Sequence, residues 1–430
     1  MADHGTEPVR PFRDPGKGAS MIHRRQLAAL AGAGLLSVCL GACSSSSTSS
    51  STSPSSPSAT STTPPSPTTT ATVPANEIRI GLEGPLTGDQ SSVGIGMLQA
   101  AQMAAANVNA SGGAMGKTVT IVPIDDKADP VAGVAAAKSA IASGLTGVVG
   151  PYNSGVGAKT LPLYLSAGLV PIRLTSANTT EGMGVTLQPM TSQIAPVATT
   201  AITTWQKATS VALIYDKTQA YTTDANAAMK SDLAKAGVTV VSDTAITPGK
   251  KSYTSTVAAV TARHPQLVYV VTYYPEAGLI AKAMYDAKST AKCLTDFGGY
   301  DNGFVTAAGI PAAQSCPVVG VPAPEDFPGS ASLITQFQSL YKAAPGTWSP
   351  YAYDSVNILL DAATKAGGFD STKLLAALDA ESGWRGWTGQ VKFAAKTGDR
   401  VPPSVAVVVP DASGVFHIDT AWETSVGYAF

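Results

Sequence analysis

The chain has 430 residues, a formal net charge of −1 and 13% charged residues, well below the ~25% usual for soluble globular chains. The sequence contains neither a basic patch for nucleic acid nor an acidic run for a cationic partner. Beyond residue 43 the only histidines are His264 and His417. The sequence therefore offers almost no residues for a histidine-based catalytic relay or metal site. We expect no metal, no cofactor and no nucleic-acid partner.

The N-terminal part of the chain is typical of an export signal. Two arginines precede an apolar stretch from Leu27 to Leu40, which is shorter than the about 20 apolar residues that span a bilayer. Met21 is an alternative start, because residues 1–20 are polar and unlike the start of a signal. We interpret residues 1–42 as a signal peptide.

The letters LGAC at residues 40–43 resemble the lipobox of bacterial lipoproteins, in which the signal is cut before a cysteine that then carries a lipid. The alternative is an ordinary secreted protein with a cysteine there by chance. From Ser44 to Ala75 the chain is almost wholly Ser, Thr and Pro, and such a segment cannot offset the entropy lost on ordering. We interpret Cys43 as a lipid anchor and residues 43–75 as a tether on the outer face of the cell membrane.

From Ile78 onward, β-branched runs alternate with alanine-rich stretches. Strands are predicted over 78–82, 118–126, 145–150 and 168–176, and helices over Met97–Val108 and Val131–Ser143. A second series predicts strands over 210–216, 238–246, 266–273 and 293–299, and helices over Tyr221–Ala236, Tyr253–Arg263 and Ala277–Ala287. This order predicts an α/β fold with parallel sheets covered by helices, in which ligands bind at the carboxyl ends of strands. Two such series in succession predict two similar lobes.

A proline-rich segment, 309–329, then interrupts the alternation and suits a crossing between lobes. Helices are predicted over Ala331–Ala343 and Tyr353–Ala366, and strands over 389–393 and 403–419. The only cysteines after Cys43 are Cys293 and Cys316. Because an exported protein meets an oxidising compartment, we predict a disulfide between them, with two buried free thiols as the alternative.

Several segments, in order, resemble the leucine/isoleucine/valine-binding proteins, the solute-binding subunits of branched-chain amino-acid ABC transporters. They are IRIGLEGPLTGDQSSVGIG from Ile78, VVGPYNSGV from Val148, SVALIYDKTQAY from Ser210, LVYVVTYYPEAG from Leu267 and DFGGYDNGF from Asp296. The resemblance implies a type I periplasmic-binding fold, in which two Rossmann-like lobes are joined by a three-strand hinge and close on a ligand like a Venus flytrap. It implies one lobe of residues 76–196 plus about 323–394, and another of residues 197–322 plus about 395–430.

The resemblance also implies how an amino acid would be held. Ser154 matches the residue whose hydroxyl, with nearby N–H groups, receives the ligand carboxylate, at a turn that presents a helix N-terminus. The alternative is that residues 153–155 only cap that helix. Asp301 matches the acidic residue that pairs with the ligand ammonium, with a turn aspartate facing water as the alternative. Thr175 falls where the family uses a backbone carbonyl for the ammonium.

Other positions in the sequence depart from the family pattern. Ala177 stands where the family has a threonine that touches the ligand, so Ser176 or Asn178 would have to substitute for the missing hydroxyl. Val93 replaces an aromatic residue, which indicates a different apolar wall. Arg173 is unusual, and it would either lie on the surface at a strand end or reach into the cleft for an anionic ligand.

The resemblance places further aromatic residues at the ligand. Tyr221, and Tyr273 or Tyr274, match the aromatics of the second lobe that cover the ligand on closure, although an aromatic stripe also suits packing or a hinge surface.

The sequence therefore predicts a monomeric, lipid-anchored, extracytoplasmic solute-binding protein and not an enzyme. It would capture a branched-chain or other neutral amino acid by lobe closure and deliver it to the membrane permease of an ABC importer. One alternative is a ligand-sensing receptor subunit with the same fold. Another is an exported serine hydrolase using Ser154, for which neither His264 nor His417 lies in a catalytic setting.

Overall fold

The computed structural model describes residues 74–428. The predicted signal peptide, Cys43 and the tether up to residue 73 lie outside these residues. Within residues 74–428, no helix is both long enough and apolar enough to cross a membrane.

The first sheet consists of five parallel strands in the order β2-β1-β3-β4-β5. The strands are β1 (Glu77–Gly84), β2 (Thr118–Asp125), β3 (Gly147–Val149), β4 (Pro171–Arg173) and β5 (Val185–Thr186). The first four strands are connected by helices α1 (Ser91–Ala110), α2 (Pro130–Ala142) and α3 (Ser154–Ser166). Strands β3, β4 and β5 are buried throughout, as expected where helices cover both faces of a sheet. We refer to this sheet and its helices as lobe 1.

The second sheet has seven strands in the order β14-β13-β10-β9-β8-β6-β7. Its parallel strands are β6 (Ser210–Asp216), β7 (Thr239–Ile246), β8 (Leu267–Val271), β9 (Lys292–Thr295) and β10 (Val318–Gly320). A separate antiparallel hairpin is formed by β11 (Trp384–Gly386) and β12 (Gly389–Val391). The antiparallel edge consists of β13 (Ala406–Pro410) and β14 (Phe416–Ile418). We refer to this seven-stranded sheet and its helices as lobe 2.

The antiparallel edge adds a hairpin to the parallel central strands predicted from the sequence. Only five residues, 411–415, connect β13 to β14, and a connection that short allows only antiparallel pairing.

The remaining helices are α4 (Thr191–Thr200), α5 (Ala220–Lys235), α6 (Thr254–Thr261), α7 (Tyr274–Asp286), α8 (Asn302–Ala308), α9 (Ile310–Gln314), α10 (Ala331–Tyr341), α11 (Ser349–Ala366), α12 (Ser371–Asp379) and α13 (Thr420–Val426). Helix α11 packs along α1 of lobe 1, where the Ser349 hydroxyl donates to the Gly96 carbonyl at 2.9 Å. The chain thus passes between the two sheets three times, after β5, after β10 and before β13. This is the two-lobed architecture that the sequence predicted, whereas the residue at which each lobe is divided stays a prediction.

Helix α1 begins at Ser91, six residues before the predicted start at Met97. Gly94 and Gly96 lower the helix propensity of this turn, which hides the helix from sequence reasoning. Close packing requires Gly94, because a Cβ there would lie 2.1 Å from the Pro85 carbonyl oxygen, and a Cβ at Gly96 would make a tight contact of 3.2 Å with Ser349 Oγ. Tertiary contacts therefore overrule local propensity here.

The predicted disulfide is confirmed. Cys293 in β9 and Cys316, two residues before β10, are bonded, with their Cα atoms 4.6 Å apart. Both cysteines are buried. Because β9 and β10 are neighbours in the second sheet, the cross-link joins two adjacent strands inside lobe 2.

Candidate ligand-binding cleft

A narrow cavity lies between the two lobes. Its wall comes from Tyr152, Ser154, Leu174, Ser176 and Gln188 of lobe 1 and from Tyr221, Tyr273, Phe297 and Gly298 of lobe 2. It has about 220 Å³ of empty space, including the part open to solvent. Most of these residues follow the carboxyl ends of strands, where open α/β sheets bind their ligands. The cavity is therefore the candidate site.

Ser154 begins α3 and its hydroxyl faces the loop after β4. Its Oγ accepts hydrogen bonds from the backbone N–H groups of Ser176 at 3.3 Å and Ala177 at 3.1 Å. Asn153, at the N-cap position, makes no capping bond within the described chain, and its Nδ2 donates to Gln90 at 2.9 Å instead. The first turn of α3 therefore keeps N–H donors and the positive end of the helix dipole beside the cavity. Such a terminus suits a carboxylate.

Gln188 lies on the first crossing between the lobes, after β5. The residue is 1% exposed, and neither its amide oxygen nor its amide nitrogen has a hydrogen-bonding partner among the described residues. A buried polar group left without a partner costs about 1–3 kcal/mol. Sequence reasoning missed this residue, since no motif distinguishes the glutamine in TLQPM from one on a surface.

Five aromatic rings form a closed circuit between the lobes, which we call the aromatic belt: Tyr152, Tyr273, Tyr221, Phe297 and Trp348. Successive ring centroids are 6.3, 6.0, 6.4, 4.8 and 5.9 Å apart. All of these rings except Trp348 also line the cavity. Tilted pairs at such distances are each worth about 0.5–1.5 kcal/mol beyond their buried area. The belt thus gives the cavity apolar walls and holds the two lobes together.

Tyr221 presents its ring, and not its hydroxyl, to the cavity. Its hydroxyl and that of Tyr269 both donate to the carboxylate of Asp296, which follows β9. Burial raises the pKa of Asp296. The two phenolic donors thus satisfy a buried carboxylate and fix the orientation of the Tyr221 ring.

Asp301 is not among the residues that line the cavity. Its Oδ1 accepts from the Gly303 N–H at 2.7 Å, which caps α8, and from the Ser92 hydroxyl of α1 at 3.4 Å. The Ser92 Oγ also lies 3.1 Å from the Tyr274 hydroxyl oxygen, and the Tyr274 hydroxyl donates to the Asp89 carbonyl at 2.9 Å. We call Ser92, Tyr274 and Asp301 the latch, because they join α1 of lobe 1 to α7 and α8 of lobe 2. Burial raises the pKa of Asp301 to about 6.

Three other predicted site residues, Thr175, Ala177 and Val93, are buried but do not line the cavity. The Thr175 hydroxyl bonds that of Thr180 at 2.7 Å, the Ala177 N–H donates to Ser154, and Val93 packs in the core. The residues that the structure brings together around the cavity are Ser154, Ser176, Tyr221 and Tyr273. The ligand-binding roles of all the predicted residues stay predictions.

Arg173 is neither a surface charge nor a cleft residue, so both predicted alternatives are wrong. Its side chain is fully buried, with Nη2 2.6 Å from Asp399 Oδ1 and 3.1 Å from the Thr397 carbonyl oxygen. A buried guanidinium needs such a partner. Arg173 therefore ties β4 to the chain segment that leads to the third crossing.

The family model described as periplasmic binding protein matches residues 77–413. The chain belongs to the periplasmic binding protein family. The Leu/Ile/Val-binding protein homolog 2 of Brucella abortus is 28% identical over 336 residues, which cover 76% of this chain and 89% of that protein. Members of the family bind solutes outside the cytoplasm, so this chain is an extracytoplasmic solute-binding protein and not an enzyme.

Two solved structures support the fold of this periplasmic binding protein. The leucine-binding protein LivK from Thermotoga maritima is 19% identical with a TM-score of 0.73, covering 80% of this chain and 98% of its own. The branched-chain amino acid transporter substrate binding protein LivJ from Streptococcus pneumoniae, in complex with isoleucine, is 21% identical with a TM-score of 0.71, covering 80% and 99%. The predicted type I periplasmic-binding fold is confirmed.

Proposed function

We propose that this periplasmic binding protein captures a small zwitterion, a branched-chain or other neutral amino acid, and delivers it to the membrane permease of an ABC importer. The observation that carries the proposal is the composition of the cavity wall. Among the described residues that line it, none carries a charge. A solute with a net charge would be buried there without a counter-charge, whereas a zwitterion is neutral overall. The 28% identical Leu/Ile/Val-binding relative supports the same ligand class.

In this proposal the ligand carboxylate lies at the N-terminus of α3, beside the Ser154 hydroxyl. The side chain of the ligand packs against the aromatic belt, which supplies an apolar surface. Asp301 lies in the latch and not in the cavity wall, so in this proposal its carboxylate turns from Ser92 toward the ligand to pair with the ammonium group.

Lobe closure accompanies binding. The latch and the Tyr152–Tyr273 ring contact both join lobe 1 to lobe 2, so they form only when the lobes meet. A ligand that contacts both lobes stabilises this closed arrangement over an open one, and the permease then recognises the closed protein.

The anchor is the second part of the proposal. Cys43 carries a lipid on the outer face of the cell membrane, and the Ser/Thr/Pro-rich tether lets the lobes reach the permease. Growth with a labelled fatty acid tests this: the wild-type chain should be labelled and membrane-bound, and Cys43→Ala should be unlabelled and released. Labelling of Cys43→Ala would contradict the anchor.

Calorimetry on the mature chain tests the ligand class. Leucine, valine, threonine and asparagine should include at least one ligand, and lysine and glutamate should bind about a hundredfold more weakly than that ligand because each brings an uncompensated charge. Tighter binding of a charged amino acid, or no binding of any amino acid, would contradict the proposal. Uptake of the labelled ligand by cells lacking this gene separates transport from sensing, because only a transport role predicts that uptake is lost.

A further inference from the structure

The unpartnered amide of Gln188 is the feature of the cleft that the proposed function does not use. The backbone around Gln188 is held by two interactions. The Gln188 N–H donates to the Thr186 hydroxyl at 3.1 Å, and the backbone of Thr186 forms an isolated β-bridge with that of Asp399. The side chain is therefore presented to the cavity from a rigid part of the chain. Its two polar atoms are buried and have no hydrogen-bonding partner within the described residues.

The hydrogen-bonding capacity of a primary amide restricts what can satisfy it. The amide nitrogen only donates and the amide oxygen only accepts. A ligand carboxylate would satisfy the nitrogen and leave the oxygen without a donor, and a ligand ammonium would do the reverse. In the proposed pose the ligand carboxylate lies at the N-terminus of α3 and the ammonium at Asp301, so Gln188 needs a further ligand group that both donates and accepts, such as an amide or a hydroxyl, to satisfy both of its atoms.

We propose that Gln188 binds the ligand directly and selects a solute that carries a neutral amide or hydroxyl group in addition to its charged ends. This rests on the proposed function and narrows it to neutral amino acids with polar side chains. A site built to hydrogen-bond such a group rejects the apolar analogue, because the buried amide would then stay unpaired.

The same geometry predicts opposite effects on stability and on binding. Without ligand, the unpaired amide destabilises the closed cleft, so Gln188→Met should leave the melting temperature of the unliganded protein unchanged or raise it. A glutamine with a merely structural role would behave in the opposite way, since its loss would lower the melting temperature. Affinity for the polar ligand should fall in the same variant.

Calorimetry with two nearly isosteric pairs, asparagine against leucine and threonine against valine, is the test. The wild-type chain should bind the polar member of at least one pair about tenfold or more tightly than the apolar member. Gln188→Met should bring the two members within about threefold of each other. Gln338→Met, on the exposed face of α10, is the matched control and should behave as the wild type.

Two results would overturn the role of Gln188. One is wild-type binding of leucine and valine at least as tightly as of their polar partners. The other is a Gln188→Met variant that melts several degrees lower and binds both members of a pair equally more weakly.

If no amino acid binds, the proposed ligand class is wrong. The role of Gln188 is then tested by calorimetry of propionamide and lactate binding, with propionate as the control. Binding of either to the wild type, lost in Gln188→Met and absent for propionate, supports the role. No response to either overturns it.

Discussion

Arg173 and Asp399, 226 residues apart, form an ion pair of 2.6 Å in which the arginine side chain is fully buried. Asp399→Asn should lower the free energy of unfolding by about 3–5 kcal/mol, because it leaves a buried guanidinium without a counter-charge. The double variant Arg173→Met/Asp399→Leu should lose less than the single one. Urea unfolding measures both.

The control for this ion pair is Asp286→Asn, which breaks the exposed pair with Lys282 and should change stability by no more than about 0.5 kcal/mol. An Arg173→Met/Asp399→Leu double variant that loses as much stability as Asp399→Asn, or more, would contradict this account of the ion pair.

The buried carboxyls of lobe 1 should make stability fall as pH rises. Burial raises the pKa of Asp126 to about 7 and also raises that of Glu83, which lies near Asp126. The folded protein thus holds protons that the unfolded chain releases above about pH 4, and this stabilisation is lost as pH rises through about 7. The wild-type melting temperature should fall between about pH 5 and about pH 8.

Asp126→Asn removes part of that pH dependence and keeps the oxygen that accepts from the Ala128 N–H at 2.8 Å. Thermal melts followed by circular dichroism should show the variant melting higher than the wild type at about pH 8 and close to it at about pH 5. A variant that melts lower than the wild type at the higher pH would refute this assignment.

Trp348 should report ligand binding by its fluorescence. It lies in the aromatic belt with its ring centroid 4.8 Å from that of Phe297 in lobe 2. The other four tryptophans lie elsewhere in the chain, at Trp205, Trp384, Trp387 and Trp422. Trp348→Phe should keep affinity within about fivefold, since an aromatic ring remains, and should abolish most of the ligand-dependent fluorescence change. Retention of the full signal by this variant would place the reporter outside the belt.

The latch should contribute to the affinity for every ligand alike. Tyr274→Phe removes the hydroxyl that bonds Ser92 and the Asp89 carbonyl, and each such bond is worth about 0.5–1.5 kcal/mol. Calorimetry should show affinity falling about two- to tenfold for leucine and equally for 4-methylpentanamide, a neutral analogue that lacks the amino group.

Asp301→Asn distinguishes the role of Asp301 in the latch from its predicted contact with the ligand ammonium. The variant removes the negative charge, and the asparagine keeps an oxygen that accepts from the Gly303 N–H and caps α8. If Asp301 pairs with the ligand ammonium, this variant should weaken leucine binding about tenfold or more and leave the binding of 4-methylpentanamide nearly unchanged. Equal weakening of both ligands would restrict Asp301 to the latch.

The sequence by itself determined the alternation of strands and helices, the two-lobed α/β fold and the disulfide. These features depend on local periodicity, on compartment chemistry and on an ordered set of motifs, all of which can be read along the chain. The motifs also led to Ser154, Ser176, Tyr221 and Tyr273, which the structure brings to one cavity.

Only the tertiary structure decided which side chains share that cavity and which are used elsewhere. It turned Arg173 away from the cleft toward Asp399, placed Trp348 in the aromatic belt and left the amide of Gln188 without a partner. Each of these outcomes depends on contacts between residues far apart in the chain. Whether a buried polar group is satisfied is a property of the residues packed around it, and local sequence does not contain that information.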